Sequence, residues 1–263
     1  MIENVFKRKL LARERQIGLW LAMADAYAAS IAGQAGFDWL VIDAEHGPND
    51  LRSILAQLQS IESTPSMPVV RPPQGEGWMI KQLLDIGAQT LLIPMVENAE
   101  QARQLVAACR YPPRGRRGMG AGIARASRFN TIPDYVDAAD DQICLLVQIE
   151  SRQGLDNLEA IAAIEGVDGL FIGPADLAAD MGHTGNMHHS AVQAAVESAI
   201  GRIQACGKPA GILTFDVDLN RRYLELGATF VAVGADVPIF TAALGDLLAP
   251  YSASATRPPS RGY

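Results

Sequence analysis

Short apolar segments recur along the chain, and several of them follow a glycine that closes a helical pattern. Gly36, Gly87, Gly166 and Gly227 stand in this position. Glycine after a helix adopts the left-handed conformation at low cost, and uninterrupted apolar runs are typical of parallel strands buried on both faces. The pattern predicts eight strands: Ile17–Leu21, Trp39–Asp43, Pro68–Arg71, Thr90–Met95, Ile143–Glu150, Gly169–Gly173, Ala210–Leu213 and Thr229–Gly234.

Helical periodicity fills the intervals between these strands. One amphipathic stripe consists of Leu51, Ile54, Leu55, Leu58 and Ile61. Asn98 and Gln101 resemble a capping box that opens a helix running to Cys109. Strands alternating with helices predict one (β/α)8 TIM barrel over residues 1–263. An open doubly wound sheet is disfavoured, because Leu19-Trp-Leu-Ala-Met-Ala is not the glycine-rich turn such a fold carries after its first strand.

Two segments depart from the repeat. Residues 110–141 form a Gly/Arg-rich insertion before the fifth strand, and a connection of this length in a compact domain is usually functional or poorly ordered. Residues 251–263 form a Pro/Ser-rich tail, which we expect to be a frayed terminus.

Composition narrows the possible partners and location of the 263-residue chain. With 22 basic and 29 acidic side chains the net charge is −7, and no Lys/Arg cluster favours a nucleic-acid or membrane-surface partner. No apolar run reaches the roughly 18 residues of a membrane span, and the N-terminus does not resemble a signal peptide. Cys109, Cys144 and Cys206 are expected to be buried free thiols, which predicts a reducing, cytoplasmic location.

Polar residues stand where several predicted strands end, and active sites of TIM barrels form at that face. Glu150 and Asp176 follow neighbouring strands, and two carboxylates that leave positions open for water and substrate oxygens are typical of a Mg²⁺ or Mn²⁺ site. The alternative is that each caps its loop or pairs with an arginine. Zinc bound by thiolates is disfavoured because no cysteine lies at a strand end.

Three further residues suggest proton transfer and anion binding at the same face. Asp43 could fix the tautomer of His46 as a general base, although a loop histidine in a local hydrogen bond is an equal alternative. Arg71 is costly to bury without an anion, which could be substrate carboxylate, an oxyanion, or a structural partner such as Glu45 or Glu150. Glu45 itself is expected to face away into a structural pair, with a place at the metal as an outside alternative.

The positions of the lysines disfavour Schiff-base chemistry. The sequence holds only Lys7, Lys9, Lys81 and Lys208, and none is predicted inside the barrel, where a Schiff base would form. Carbonyl chemistry here would therefore depend on a metal.

These motifs resemble a known family. The segments FDWLVIDAEHGPND, PVVRP, YPPRGRRGMG, LVQIE and VDGLFIGPADLAADMG are similar to signatures of the class II pyruvate aldolases of the HpcH/HpaI aldolase family, and the resemblance covers nearly the whole chain. It implies a TIM-barrel lyase that needs a divalent cation (Mg²⁺, Mn²⁺ or Co²⁺) and no organic cofactor. The implied reaction is cleavage of 4-hydroxy-2-oxo acids, such as 4-hydroxy-2-oxoheptanedioate, to pyruvate and an aldehyde such as succinic semialdehyde. Members that act on 2-keto-3-deoxy sugar acids are similar too.

The resemblance also implies roles for individual residues. Glu150 and Asp176 would ligate the metal, Arg71 would stabilise the enolate oxygen, and His46, held by Asp43, would relay the proton of the C4 hydroxyl. The remaining positions are implied to contact substrate: Gln148, Gly173, Pro174 and Ala175 the pyruvyl half, Trp20 and Leu213 the aldehyde side, and Asp85 from an adjacent subunit. A homohexamer is implied, whose last helix packs on a neighbouring barrel.

Two positions depart from the family pattern. Ala44 replaces a glycine, which is a minor change. Arg116 replaces an aliphatic or small residue in a loop expected near the site, where it could bind an acidic aldehyde, perturb the pocket or face solvent.

Two rival functions share this sequence pattern. An acyl-CoA lyase of the citrate-lyase β type would need a basic groove, which only the arginines of 110–128 could supply. A non-enzymatic sensor of keto acids is disfavoured by the polar groups at four strand ends.

Overall fold

Eight parallel strands close into one barrel in the computed structural model, which describes residues 3–251. Each strand pairs with the next in sequence, and the last pairs with the first. The strands are β1 Gln16–Leu21, β2 Trp39–Asp43, β3 Met67–Arg71, β4 Thr90–Ile93, β5 Cys144–Ile149, β6 Gly169–Ile172, β7 Ala210–Leu213 and β8 Phe230–Ala235. The predicted TIM barrel is confirmed, and no strand end lies more than two residues from its prediction.

Helices surround this barrel and return the chain to its amino-terminal end. Within residues 3–251 they are α1 Val5–Leu11, α2 Ala26–Gly33, α3 Leu51–Ile61, α4 Gly77–Asp85, α5 Ala99–Cys109, α6 Tyr135–Gln142, α7 Arg152–Asp156, α8 Leu158–Ala162, α9 Pro174–Asp180, α10 Ser190–Ala205, α11 Val217–Glu225 and α12 Asp236–Leu248. Gly36, Gly87, Gly166 and Gly227 have φ of 97–103°, so the predicted left-handed turns are confirmed. None of these helices is long and apolar enough to cross a membrane.

Only one of the two hydrogen bonds of the predicted capping box is present at the start of α5. Asn98 Oδ1 accepts the backbone N–H of Gln101 at 2.8 Å, as an N-cap should. The Gln101 side chain, however, turns to the backbone of Met95 and Glu97 instead of returning to Asn98, so the capping box is incomplete.

An unpredicted helix, α1, closes the amino-terminal end of the barrel. Phe6 and Leu10 are fully buried there, and the Phe6 ring packs against Trp39 and Phe230. Asn4 fixes the helix to the barrel, because its side-chain amide donates to the carbonyl of Gln142 at 3.0 Å. Within the described residues, α1 therefore covers the amino-terminal end of the barrel.

Alternate residues of each strand point into the barrel, where large rings fill its centre. Trp20, Trp39, Phe171 and Phe230 form one group with ring centroids 5.5–6.4 Å apart. Gly18 makes room for this group, since a Cβ there would overlap the Trp39 indole. The packed interior holds the strands, and hence the residues that follow them, in fixed positions.

The 110–141 insertion lies under the amino-terminal end of the barrel, because it joins the end of α5 to the start of β5. It contains α6 and a 3-10 turn at Arg125–Ser127, and its own small core includes Tyr111, Tyr135 and Ala139. The predicted tail lies outside the described residues except for Tyr251, which ends a second 3-10 turn.

Helix α12 differs from the other long helices because it buries none of its residues. Its exposed apolar side chains are Val237, Ile239, Phe240, Leu244, Leu247 and Leu248. A continuous apolar surface of this kind is typical of a protein–protein contact.

Candidate active site

The strand residues that point into the barrel are apolar at its centre, and several are polar at its carboxyl end. On β5, Cys144 and Leu146 belong to the buried interior, and the same alternation leads to Gln148 and then to Glu150. The period of two likewise brings Asp43 and Arg71 inward on β2 and β3, where they are paired in register. Strand periodicity therefore assembles the predicted residues at one end of the barrel.

Arg71 lies at the centre of this cluster, between two carboxylates. Its Nε and Nη2 donate to Oδ1 and Oδ2 of Asp43, both at 2.8 Å, and its Nη1 lies 2.5 Å from Glu45 Oε2. Burial would lower the pKa of Arg71, but the hydrogen bond and charge of Asp43 and the charge of Glu45 raise it above its ordinary value. The guanidinium stays charged, and each Nη atom keeps one N–H for a further oxygen.

Glu45 faces the cluster, so the prediction that it faces away is wrong. Its pairing with Arg71 is structural, as expected, but the pair lies inside the site. Burial raises the pKa of Glu45, Arg71 opposes this change, and the charges of Asp43 and Asp176 add to it. Strand alternation ends at Asp43, so the direction of Glu45 depends on loop dihedrals that periodicity does not predict.

Glu150 is buried and held by two donors. Its Oε1 accepts the backbone N–H of Met95 at 2.7 Å, and its Oε2 accepts the side-chain amide of Gln148. Met95 reaches this position with φ of +53°, a costly conformation for a residue with a side chain. Burial raises the pKa of Glu150 to about 7, the Met95 N–H opposes this, and the charges of Glu45 and Asp176 add to it.

Asp176 projects from the first turn of α9, which begins at Pro174 after Gly173. Gly173 lies so close to Glu150 and Gln148 that a Cβ there would overlap both side chains. Asp176 is exposed, and its charge contributes to the raised pKa values of Glu45 and Glu150. Ala175 is exposed on the same turn, whereas Pro174 is buried.

The donor set suits a hard divalent cation. Four carboxylates (Asp43, Glu45, Glu150 and Asp176) and one guanidinium lie at this end of the barrel, a formal charge of −3 when all are ionised. Gln148 Oε1 is buried without a hydrogen-bond partner. Nowhere in residues 3–251 are three His, Cys, Asp or Glu side chains grouped so that they alone could hold an ion. Glu150 and Asp176 would thus leave several positions for water and substrate oxygens, as Mg²⁺ sites do.

The predicted orientation of His46 by Asp43 is wrong. Both Asp43 carboxylate oxygens bind Arg71, and Oδ1 accepts the backbone N–H of Glu45 at 3.0 Å and of His46 at 3.5 Å. The His46 side chain is 69 % exposed, and its Nε2 lies 3.9 Å from Glu45 Oε2. Arg71 is the stronger partner because it offers two parallel charged donors. The imidazole therefore stands at the mouth of the site, nearest to Glu45.

Trp20 and Leu213 line the barrel beside the cluster. The Trp20 ring lies 5.3 Å from the Arg71 guanidinium carbon, and its buried Nε1 has no hydrogen-bond partner. Leu213 is half-buried at the end of β7, against the interior ring group. That the two side chains contact the aldehyde stays a prediction.

Arg116 and Asp85 lie at the opposite end of the barrel. Arg116 is exposed and donates to the Gln104 carbonyl at 3.4 Å, so the prediction that it lies near the site is wrong for its own chain. The reason is topological, since a connection from helix to strand returns to the amino-terminal end. For the same reason the insertion arginines form no basic groove beside this cluster. Asp85 ends α4 and pairs with Arg117 at 2.7 Å.

Two residues that contribute to the site were not predicted from the sequence. Met95 acts through its backbone N–H, and nothing in the sequence indicates its positive φ. Asn49 donates to the Asp43 carbonyl at 2.7 Å, and its Oδ1 accepts from Ser53 and Gln57. A polar residue just before a helix could have suggested a loop anchor, but not its partner.

The barrel and its carboxylate-rich end define the class of protein as a TIM-barrel enzyme. A family model described as HpcH/HpaI aldolase/citrate lyase matches residues 16–243, and the chain belongs to this family. A hydroxypyruvate/pyruvate aldolase of Agrobacterium fabrum is 62 % identical over 262 residues, covering 99 % of this chain and 98 % of that protein. A 4-hydroxy-2-oxo-heptane-1,7-dioate aldolase of Escherichia coli is 55 % identical over 255 residues, 97 % of each chain.

The fold agrees with a solved member of the family. The crystal structure of an HpcH/HpaI aldolase/citrate lyase family protein from Burkholderia cenocepacia is 40 % identical and superposes with a TM-score of 0.91, covering 94 % of this chain and 99 % of that one. The resemblance read from the motifs is confirmed, and with it the assignment to the aldolases, which are carbon–carbon lyases.

Proposed function

We propose that this aldolase cleaves 4-hydroxy-2-oxo acids, including 4-hydroxy-2-oxoheptanedioate, to pyruvate and an aldehyde, with a divalent cation at Glu150 and Asp176. The observation that carries the proposal is the buried Arg71 with free N–H groups, set in a cluster of four carboxylates that suits a cation. The names of relatives at 55–62 % identity support the reaction class and the pyruvyl substrate.

When bound, Mg²⁺, Mn²⁺ or Co²⁺ would polarise the ketone as a Lewis acid and favour the enolate. Arg71 offers its remaining N–H groups to the oxygen that gains negative charge, from a direction that Asp43 fixes. Gln148, buried beside Glu150, would help to hold the pyruvyl carboxylate and keto group. Ala175 and Pro174 would close the pocket from the first turn of α9.

His46 is the proposed acceptor of the C4 hydroxyl proton, directly or through water. Its exposed ring lies at the mouth, where the aldehyde would leave, and Glu45 is its nearest carboxylate. As the C3–C4 bond breaks, its electron pair passes to C3 and the C4 oxygen becomes the aldehyde carbonyl. A proton delivered to C3 then completes pyruvate. Trp20 and Leu213 would face the aldehyde.

Hydroxypyruvate is a second candidate for the carbon donor in the reverse reaction. The Agrobacterium fabrum relative is named for hydroxypyruvate before pyruvate, and it is 62 % identical to this chain. The two donors differ by one hydroxyl at C3.

A paired assay tests the proposal. Pyruvate released from 4-hydroxy-2-oxoheptanedioate with Mg²⁺ or Mn²⁺ is followed with lactate dehydrogenase, and we expect steady release. In the reverse direction, pyruvate and hydroxypyruvate are each offered with succinic semialdehyde and a panel of other aldehydes, and the products are identified. Absence of carbon–carbon cleavage or formation in both directions would overturn the proposal.

The assembly is also a proposal. We infer a homo-oligomer, a hexamer on the family resemblance, in which α12 covers its apolar surface on a neighbouring barrel. Asp85, remote from its own site, would approach the site of an adjacent subunit. The three cysteines are free, which supports a reducing, cytoplasmic location.

A further inference from the structure

A cavity of about 370 Å³ lies at the amino-terminal end of the barrel, far from the cluster around Arg71. It lies between the end of α3, the starts of β3 and β4, and the insertion. Its apolar wall consists of Leu58, Ile61, Leu84 and Ile143. The volume falls within the range of small-molecule sites.

Three arginines of the insertion line this cavity, against one carboxylate, Glu62. Arg125 is paired with Glu62 at 2.5 Å and donates to the Ile86 carbonyl. Arg117 is paired with Asp85, which lies outside the lining. Arg128 is exposed, and no ion pair or side-chain hydrogen bond joins it to another of residues 3–251. The lining therefore carries positive charge that the described residues do not neutralise.

Arg117 adds an unsatisfied buried donor. Its side chain is only 1 % exposed and its guanidinium stacks 4.4 Å from the Tyr111 ring centre, yet its Nε has no hydrogen-bond partner. A buried donor without a partner is destabilising, so a protein usually supplies an acceptor or binds a molecule that does.

The backbone that presents Arg128 is strained. Arg128, Phe129 and Asn130 have φ of 50°, 56° and 67° in succession. This conformation is unfavourable for a residue with a side chain, and strain of this kind is typical of ligand sites. Buried Ser127 holds the segment, because its Oγ donates to the Ala124 carbonyl at 2.9 Å and accepts the Asn130 N–H at 2.9 Å.

We propose that this cavity binds a small organic oxyanion, a carboxylate or a phosphate ester with an apolar portion. Arg128 would pair with the anionic group, with Arg117 and Arg125 beside it, and the apolar portion would lie on the wall formed by α3 and α4. A guanidinium suits both oxyanions because its N–H groups match two oxygens at once. Within one chain the cavity is remote from the cluster around Arg71, and the proposal does not rest on the proposed aldolase activity.

Calorimetric titration of the whole, EDTA-treated protein with phenyl phosphate and with benzoate tests the proposal and separates the two anion classes. The titrations are repeated on Arg71→Lys protein, so that binding at the carboxyl end of the barrel is recognised. We expect at least one probe to bind, and Arg128→Gln to weaken that binding about tenfold or more. Arg221→Gln, on exposed α11, is the matched control and should bind as the unchanged protein does.

Three results would overturn the proposal. These are no heat from either probe up to about 10 mM, equal affinity of Arg128→Gln and the unchanged protein, or loss of all binding in Arg71→Lys. Circular dichroism of each variant verifies folding, and if Arg128→Gln fails to fold, Arg125→Gln replaces it with the same expected loss.

Discussion

Arg71 and Asp43 are joined by two parallel hydrogen bonds, each 2.8 Å long, between neighbouring strands in register. The bidentate pair fixes the plane of the guanidinium before any substrate arrives. Glu45 lies on a third side of the guanidinium, with its Oε2 2.5 Å from Nη1. Two carboxylates of the site, Asp43 and Glu45, thus orient the buried Arg71 guanidinium.

Replacing Arg71 with lysine tests this orientation. The ammonium keeps the charge but lacks the planar fork, so we expect kcat for pyruvate release to fall by roughly 10²–10³ with a smaller change in KM. Steady-state kinetics with the coupled assay measure both. Lys81→Arg, a conservative exchange at the far end of the barrel, should leave kcat unchanged. Wild-type kcat in Arg71→Lys would assign Arg71 to structure alone.

The cation requirement is tested by chelation and by Asp176. EDTA should abolish pyruvate release, and Mg²⁺ or Mn²⁺ should restore it. Asp176→Ala should be inactive even with excess cation, because only Glu150 would remain as a ligand. Asp180→Ala, on the same short helix, is the matched control and should keep its activity. Substantial turnover in EDTA or in Asp176→Ala would contradict the proposed metal site.

The raised pKa of Glu150 predicts how stability depends on pH in the absence of metal. Burial moves this pKa to about 7 from an ordinary value near 4.5. Between these values the folded protein binds more protons than the unfolded chain, so the free energy of unfolding falls as pH rises. The loss from this group is at most about 3 kcal/mol and is complete near pH 8.

Urea unfolding of EDTA-treated protein at pH 5, 6, 7 and 8 measures this slope. Glu150→Gln removes the titrating group, so if Glu150 is the cause the free energy of unfolding of the unchanged protein should fall relative to that of Glu150→Gln as pH rises from 5 to 8. Added Mg²⁺ should stabilise the unchanged protein more at pH 8 than at pH 5. Parallel curves for Glu150→Gln and the unchanged protein across this range would refute the assignment.

Asn49 anchors the loop that carries Glu45 and His46. Asn49→Ala removes the donor to the Asp43 carbonyl and the nearer of two acceptors of the buried Gln57 amide, at 2.6 Å, leaving only the Ser53 carbonyl at 3.1 Å. We expect the free energy of unfolding to fall by about 1–3 kcal/mol, with kcat reduced because the loop loosens. Gln59→Ala on the exposed side of α3 should change neither. A stability loss with wild-type kcat would limit Asn49 to a structural role.

The apolar surface of α12 predicts the behaviour of the protein in solution. Light scattering after size exclusion should give an oligomer, and Phe240→Asp should dissociate it, because the 55 % exposed ring would lie in the interface. Tyr27→Asp, at an exposed position of α2, is the control and should keep the oligomer. A monomeric unchanged protein would contradict the assembly.

Much of the fold could be predicted because strand burial and helix ends leave strong signals. Apolar runs and closing glycines marked all eight strands, and strand ends marked Asp43, Arg71 and Glu150 as one face. Helix α1 was missed because charged residues at Lys7 and Arg8 mask the two apolar side chains that enter the barrel.

The details of the site were harder to predict because loops set them. The ring of His46 and the carboxylate of Glu45 lie beyond the last strand residue, where alternation no longer fixes direction. Competition also matters, since Asp43 binds Arg71 across two strands instead of the histidine three residues away. The position of Arg116 was predicted wrongly because it depends on which end of the barrel carries the insertion. The residues around Arg116 do not by themselves indicate that end.

The contact between Gly18 and the Trp39 indole has a consequence for redesign. The centre of the barrel behaves as a fixed volume shared between neighbouring strands, so a side chain added at position 18 must be matched by one removed at position 39. Libraries that vary one of these positions alone would return mostly unfolded chains. Varied together, the two positions could change the floor beneath Trp20 without altering any residue of the catalytic cluster.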